Sequence, residues 1–297
     1  MKIRYDNGDI YEGAIVDNKK YGKGKLTYVN GNFEEGNFVN DKLNGIGKKK
    51  YLGWRYEGYF VNGELNGKGK KQFNESLFYE GEFVDDKLTG KGIYTTKYGK
   101  KYEGQFIEDK LNGQGKCSSS DGNIDEGNYV KNELNGLGKR TYSDGSVYNG
   151  EFIDDKPNGK GIKTFSNGDI FDGNFVDAKF NGTAKKTYSD GSVYSGEFID
   201  DKPNGIGEKT FSNNDYFYGH FVDDKYYGKG TLFSSNGDIY DGEFIDSKKH
   251  GKGKLTLNCG TIYEGTFNEN NYIFNDTPDS PEVKPRSKSK KNGVFRV

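Results

Sequence analysis

The chain has 297 residues, of which 31% are hydrophobic, 15% aromatic and 45 in number glycine, and its formal net charge is −1. That balance leaves no broad basic field for nucleic acid, and no apolar run has the length of a membrane span or a signal-peptide core. Two cysteines, Cys117 and Cys259, fit neither a zinc spacing nor a disulfide framework, so the chain reads as soluble and cytoplasmic.

The predicted elements begin with half a repeat. Met1 to Ile10 carries Tyr5 and Asn7-Gly8, which match Phe165 and Asn167-Gly168 further on. From Tyr11 a core of Tyr, an acidic residue, Gly, any residue and Phe recurs. Its glycine falls at Gly13, Gly36, Gly58, Gly81, Gly104, Gly127, Gly150, Gly173, Gly196, Gly219, Gly242 and Gly265. The spacing is 23 residues throughout, except for 22 between Gly36 and Gly58. Thr141 to Gly161 returns at Thr187 to Gly207 with 19 of 21 positions identical. A fixed period of this size marks a repeat architecture, which overrides any domain count drawn from length.

Within each repeat, short alternating runs flank Asn-Gly or Asp-Gly, as in Lys163 to Phe175 around Asn167-Gly168. This predicts a β-hairpin closed by a type I′ turn. Asn213-Asn214 replaces the dipeptide once. A longer connection is expected over Ile153 to Gly159 and Val176 to Gly182, with Pro157 and Pro203 in such loops, where a missing N–H matters little. No segment shows the period of a helix. Strand alternation puts the ring two before and the ring two after each core glycine on one face. The structural repeat core is therefore Tyr11, Gly13, Tyr56, Gly58, Phe60, Tyr79, Gly81, Phe83, Tyr102, Gly104, Phe106, Tyr148, Gly150, Phe152, Phe171, Gly173, Phe175, Tyr194, Gly196, Phe198, Gly219, Phe221, Tyr240, Gly242, Phe244, Tyr263, Gly265 and Phe267. A ring from a neighbouring strand is expected over each glycine, with Tyr stacked on Tyr and Phe on Phe along the sheet. Glu34 and Asp125 interrupt that ladder. The fold class is all-β: an elongated, solenoid-like array of stacked antiparallel hairpins forming one twisted sheet, about 110 Å long at roughly 4.8 Å per strand. The array is expected over 1–272, and a disordered Ser/Pro/Lys-rich basic tail over 273–297. Residues 282–297 hold six basic side chains against one acid, a net of +5 that leaves −6 for the rest.

The core followed nine residues later by Gly-x-Gly, as in Tyr102-Glu103-Gly104-Gln105-Phe106 with Gly113-Gln114-Gly115, resembles the MORN repeat (membrane occupation and recognition nexus). The resemblance covers about twelve copies. Phe, Tyr or Ile stands for the family's Trp, and its intermediate glycine survives only as Gly63. The resemblance implies a scaffold that dimerises or holds partners at the cell cortex, at membrane junctions or in the ciliary axoneme.

No catalytic constellation emerges. The Gly-x-Gly turns are not followed by the helix that makes a phosphate loop. The acid pairs, such as Asp85-Asp86 and Asp200-Asp201, recur in one slot with Lys after them and read as turn chemistry rather than a general acid–base pair or a calcium site. The expectation is a non-enzyme without cofactor or metal, binding protein partners and forming homodimers, in the cytoskeleton, the cilium or the cortex. The alternative is an adaptor binding acidic phospholipid through its repeats or through Lys284, Arg286, Lys288, Lys290 and Lys291.

Overall fold

The computed structural model describes residues 1–274, which contain strands and turns and no helix. The chain divides into two compact units, Met1–Lys156 and Pro157–Val297. In the first, fourteen strands run from Lys2–Arg4 to Val147–Ile153. In the second, the described strands run from Lys156–Thr164 to Asn271–Tyr272. Within each unit every strand pairs antiparallel with its neighbours in sequence, so the fold is an all-β array of hairpins.

One hairpin of the first unit shows why the pattern folds this way. Along Trp54–Val61, Tyr56 and Phe60 are buried while Arg55, Glu57, Tyr59 and Val61 face water. The returning strand, Glu64–Gln72, sets Gly69 opposite Gly58 and Leu65 opposite Phe60, with a shift of register between them. The bulge is needed because the backbones approach closely at the glycine pair. A Cβ at Gly58 would lie 2.6 Å from the Gly69 Cα, and the Gly58 φ of +152° disfavours a side chain as well. What covers the glycines follows the residue opposite the Phe. Where it is leucine, as at Leu65, that side chain fills the space over the pair. Where it is Pro203, the Tyr194 ring of the strand itself folds over Gly196 and Gly207, and its hydroxyl donates to the Glu197 carbonyl at 3.0 Å. The covering group is thus a leucine of the paired strand or a ring of the same strand in these repeats, rather than the neighbouring ring expected. Only at the end does Tyr272, across the strand pair, lie over Gly265.

The rings do not form separate Tyr and Phe ladders in the second unit. Tyr194 meets Phe198 at 5.1 Å and Phe221 of the next repeat at 4.8 Å, both edge to face. Tyr240 does the same with Phe244 and Phe267. The quadrupole of each ring favours this crossed arrangement over a face-to-face pile. Face-to-face contact appears in both units where an extra ring intervenes: in the first Tyr94 stacks on Tyr79 at 4.3 Å and on Tyr102 at 5.8 Å, and in the second Phe180 stacks on Phe171 at 3.5 Å and Tyr226 on Phe217 at 3.8 Å.

Both turns differ from the expectation. At Asn167-Gly168 only the glycine has positive φ, and Phe165 N–H donates to the Asp169 carbonyl at 2.8 Å. The loop has three residues and ends on a left-handed glycine, which is the bulged hairpin rather than type I′. Asn214, with φ of 66°, takes the glycine's place in its repeat. The type I′ turns are the acid pairs. Asp85 and Asp86 have φ of 49° and 63°, and Asp200 and Asp201 have 46° and 72°. The longer connection therefore shrinks to two residues, and Pro157 and Pro203 lie inside strands, with Pro203 opposite Phe198.

The acid pair also ties one repeat to the one before it. Asp86 N–H donates to the Leu65 carbonyl at 3.1 Å, and the Asp86 Oδ1 accepts the Leu65 N–H at 2.7 Å. Asp109 holds Leu88, Asn132 holds Leu111 and Asp201 holds Phe180 in the same way, always 21 residues apart. At the opposite ends of the strands, Asp169 accepts the N–H of Ser189 and Asp215 that of Ser235, at a spacing of 20. Where the acceptor is a carboxylate, its charge makes these among the stronger hydrogen bonds of a folded chain.

Candidate binding surfaces

Tyr11, Phe60, Phe83, Phe106, Tyr148, Phe152, Phe171, Phe175, Tyr194, Phe198, Phe221, Tyr240, Phe244 and Phe267 are buried, as are Tyr56 and Tyr102, while Tyr79 and Tyr263 are half-buried. They hold the hairpins together and leave little surface for a partner. Sequence reasoning missed a second buried file. Leu43, Leu65, Leu88, Leu111 and Leu134 are fully enclosed. Their spacing, 22 residues once and then 23, was the available signal, hidden by the Asp, Asn and Gly around them. The basic tail from Lys284 to Lys291 lies outside the described residues.

On the ring-bearing face a file of long side chains fills the position opposite the first ring of each core. Lys49 sits opposite Tyr56 with its ammonium 4.7 Å from that ring, and it donates to the Gly63 carbonyl at 2.9 Å and to Asp86 at 3.1 Å. Lys71 lies over Trp54 and Tyr79. In the second unit Lys186 pairs with Asp169 at 3.5 Å, and Lys209 lies over the Tyr188 ring. Each ammonium is held by rings and a carboxylate together, which satisfies a largely buried charge. In the same file Cys117 is buried, and burial pushes its thiol up to about 11, so it is an inert packing group.

The two acids that interrupt the rings fare differently. Asp125 accepts two bonds from Arg140, at 2.6 Å from Nε and 2.8 Å from Nη2, so a flat guanidinium lies where a ring would. Glu34 has no such filler. It lies opposite Lys49 in register, but the Lys49 ammonium is turned to Gly63 and Asp86. The space left is a pocket of about 260 Å3 lined by Tyr28, Asn30, Asn32, Glu34, Lys49 and Tyr51. The Tyr28 hydroxyl donates to the Glu34 Oε1 at 2.9 Å. Burial, then the neighbouring Glu34 charge, holds the Tyr28 phenol well above its usual range.

The opposite face is polar and mostly self-neutralised. Lys25–Glu35, Lys48–Glu57 and Lys116–Glu126 pair across strands at 2.9, 3.0 and 3.2 Å. Exposed pairs of this kind contribute little stability, on the order of 0–1 kcal/mol. Along one border of this face runs an apolar file. In the first unit Val61, Val84, Ile107 and Val130 are 40–55% exposed, and in the second Val176, Ile199, Val222 and Ile245 are 41–57% exposed. Each is the last residue of its strand and stands opposite a Lys or Glu that opens the next strand, as Val84 does opposite Lys87. Among the described residues no helix is long and apolar enough to cross a membrane, and no three His, Cys, Asp or Glu side chains are placed to hold a metal.

The fold is that of a β-hairpin repeat array. The MORN repeat family model matches residues 11–33, 35–51, 56–75, 79–97, 102–124, 126–147, 148–170, 171–193, 194–216, 217–239 and 240–258, and the chain belongs to that family. Two of these matches start one residue late, after Glu34 and after Asp125, the two acids that replace a ring. A twelfth, shortened hairpin follows in Ile262–Asn268 and Asn271–Tyr272. No curated protein matches the chain. Solved structures similar to it include the TCP domain of Drosophila melanogaster SAS-4 (dCPAP) in complex with a proline-rich motif of Ana2, 12% identical over 52% of this chain and 84% of that one, with a TM-score of 0.34. The TCP10 domain of Danio rerio CPAP is 11% identical over 90% of this chain and 100% of that one, with a TM-score of 0.26. Likenesses this distant carry no argument about function.

Proposed function

We propose that this protein is a non-catalytic scaffold whose repeat surface binds partner proteins, in a cytoskeletal or ciliary assembly. The observation that carries the reading is the file of half-exposed β-branched side chains, placed in the same slot by successive repeats of each unit. Water-facing Val and Ile at a regular spacing gain from being covered, by roughly half of the about 1.5–3 kcal/mol that full burial of an exposed side chain of this size is worth. The acids and bases around the file are engaged in turns and pairs, which leaves the aliphatic groups as the adhesive part of the surface. The cytoskeletal or ciliary setting rests on the family alone.

The test is a pull-down from cells that express the protein, using the full chain and a Val84→Asp, Ile107→Asp, Val130→Asp variant. Loss of a stable set of partners from the variant, with its circular dichroism unchanged, supports the scaffold. Unchanged partners would show that the file is not the contact. Co-sedimentation with vesicles containing acidic phospholipid at physiological salt, without any protein partner, would replace the scaffold with a membrane adaptor.

A further inference from the structure

The structure assigns a second site, on the face opposite the apolar file: we propose that the pocket at Glu34 takes one arginine side chain from a partner protein. The site goes beyond the scaffold reading and does not depend on the Val/Ile file. Its origin is a single departure from the repeat. The slot two before the core glycine holds a ring in the neighbouring repeats, Tyr11 and Tyr56, and both are buried there. Glu34 leaves that volume open.

The pocket's chemistry selects its occupant. Two phenol rings, Tyr28 and Tyr51, belong to its lining, and a carboxylate lies within it. Tyr28 satisfies one oxygen of that carboxylate. The nearest cation in register, Lys49, is committed to the Gly63 carbonyl, Asp86 and the Tyr56 ring. Asp9 adds a second negative charge beside Tyr28, where its Oδ1 accepts the Val29 N–H at 3.0 Å. A guanidinium suits this set. It stacks on phenol faces, and its fork of donors matches a carboxylate and an amide oxygen at once. Asn32, one of the lining residues, carries such an amide. At about 260 Å3 the pocket is below the roughly 300–1,000 Å3 typical of small-molecule sites, and fits one long side chain rather than a cofactor. The same chain shows the pairing internally. At the equivalent slot of another repeat, Asp125 is filled by the guanidinium of Arg140, and the incoming arginine would do at Glu34 what Arg140 does there.

The experiment is a titration of the 15N-labelled full chain with Nα-acetyl-arginine amide, with the neutral isostere Nα-acetyl-citrulline amide as control. The expected result is saturable shifts centred on Tyr28, Asn30, Asn32 and Glu34 with the arginine probe only. Affinity should fall about tenfold or more in Glu34→Gln, as for loss of a charged hydrogen-bond partner. Glu34→Tyr, which restores the ring used elsewhere, should keep the fold and abolish the shifts. Equal shifts with citrulline, or arginine shifts unaffected by Glu34→Gln, would overturn the proposal. The outcome is separate from that of the scaffold, because the pull-down with the Val/Ile variant reads a different face.

Discussion

A single carboxylate in the two-residue turn does more for this fold than its exposure suggests. In the second unit Asp201 sits at positive φ and accepts the N–H of Phe180, 21 residues back, at 2.8 Å. Asp201→Ala should lower stability by about 1–3 kcal/mol, because the Phe180 N–H loses its partner. Asp201→Asn should be close to neutral, since Asn132 and Asn270 already do this work elsewhere. Urea unfolding of both variants checks the pair. At Pro157 donor and acceptor are both missing, since the residue 21 further on is Ala178, whereas at Pro203 that residue is Asp224, whose carboxylate pairs with Lys209 at 3.8 Å instead. The same bonds predict an acid limit. The backbone N–H of Lys20 on Asp41 and that of Ser235 on Asp215 hold both carboxyls below their ordinary value. A folded pKa below the unfolded one, about 3.9, gives stability that is complete above that value and lost as pH falls through the folded one. The urea midpoint should therefore stay level down to about pH 5 and drop below about pH 4.

At the scale of one hairpin, the leucine opposite the Phe matters as much as the rings. Leu65 is fully buried over Gly58 and Gly69, so Leu65→Ala should cost about 2–5 kcal/mol. Ile46, 74% exposed in a neighbouring strand, should tolerate Ser within about 0.5 kcal/mol. Thermal or urea unfolding distinguishes the two. The hairpins and the ring-glycine-ring face were legible in the sequence, because period and alternation report on which side chains share a face. The leucine file was not. Asp85-Asp86-Lys87-Leu88 has the composition of a loop, and only the anchoring of Asp86 to the preceding repeat shows that the turn needs two residues and no glycine. The pocket was half legible. Glu34 and Asp125 were visible as interruptions, but which neighbour fills the gap depends on where Arg140 and Lys49 point, and no spacing encodes that.

For the molecule as a whole, each repeat within a unit touches its neighbours through the same bonds, so the stability of each unit is close to a sum of repeat and neighbour contributions. Removing one complete period, 187–209, joins Lys186 to Thr210 in register. The shortened chain should keep its strand circular dichroism and lose only part of its resistance to urea. Loss of all structure would contradict neighbour-only coupling. The near-copy at 141–161 and 187–207 carries a further consequence. A chain that looped out 46 residues, the offset between the two, would find almost the same partners waiting, so misregistration is a cheap error during refolding. Discrimination then falls to the few places where the copies disagree, Asn149 against Ser195 and Lys160 against Ile206, and to the mismatch between Pro157 and whichever turn arrives over it.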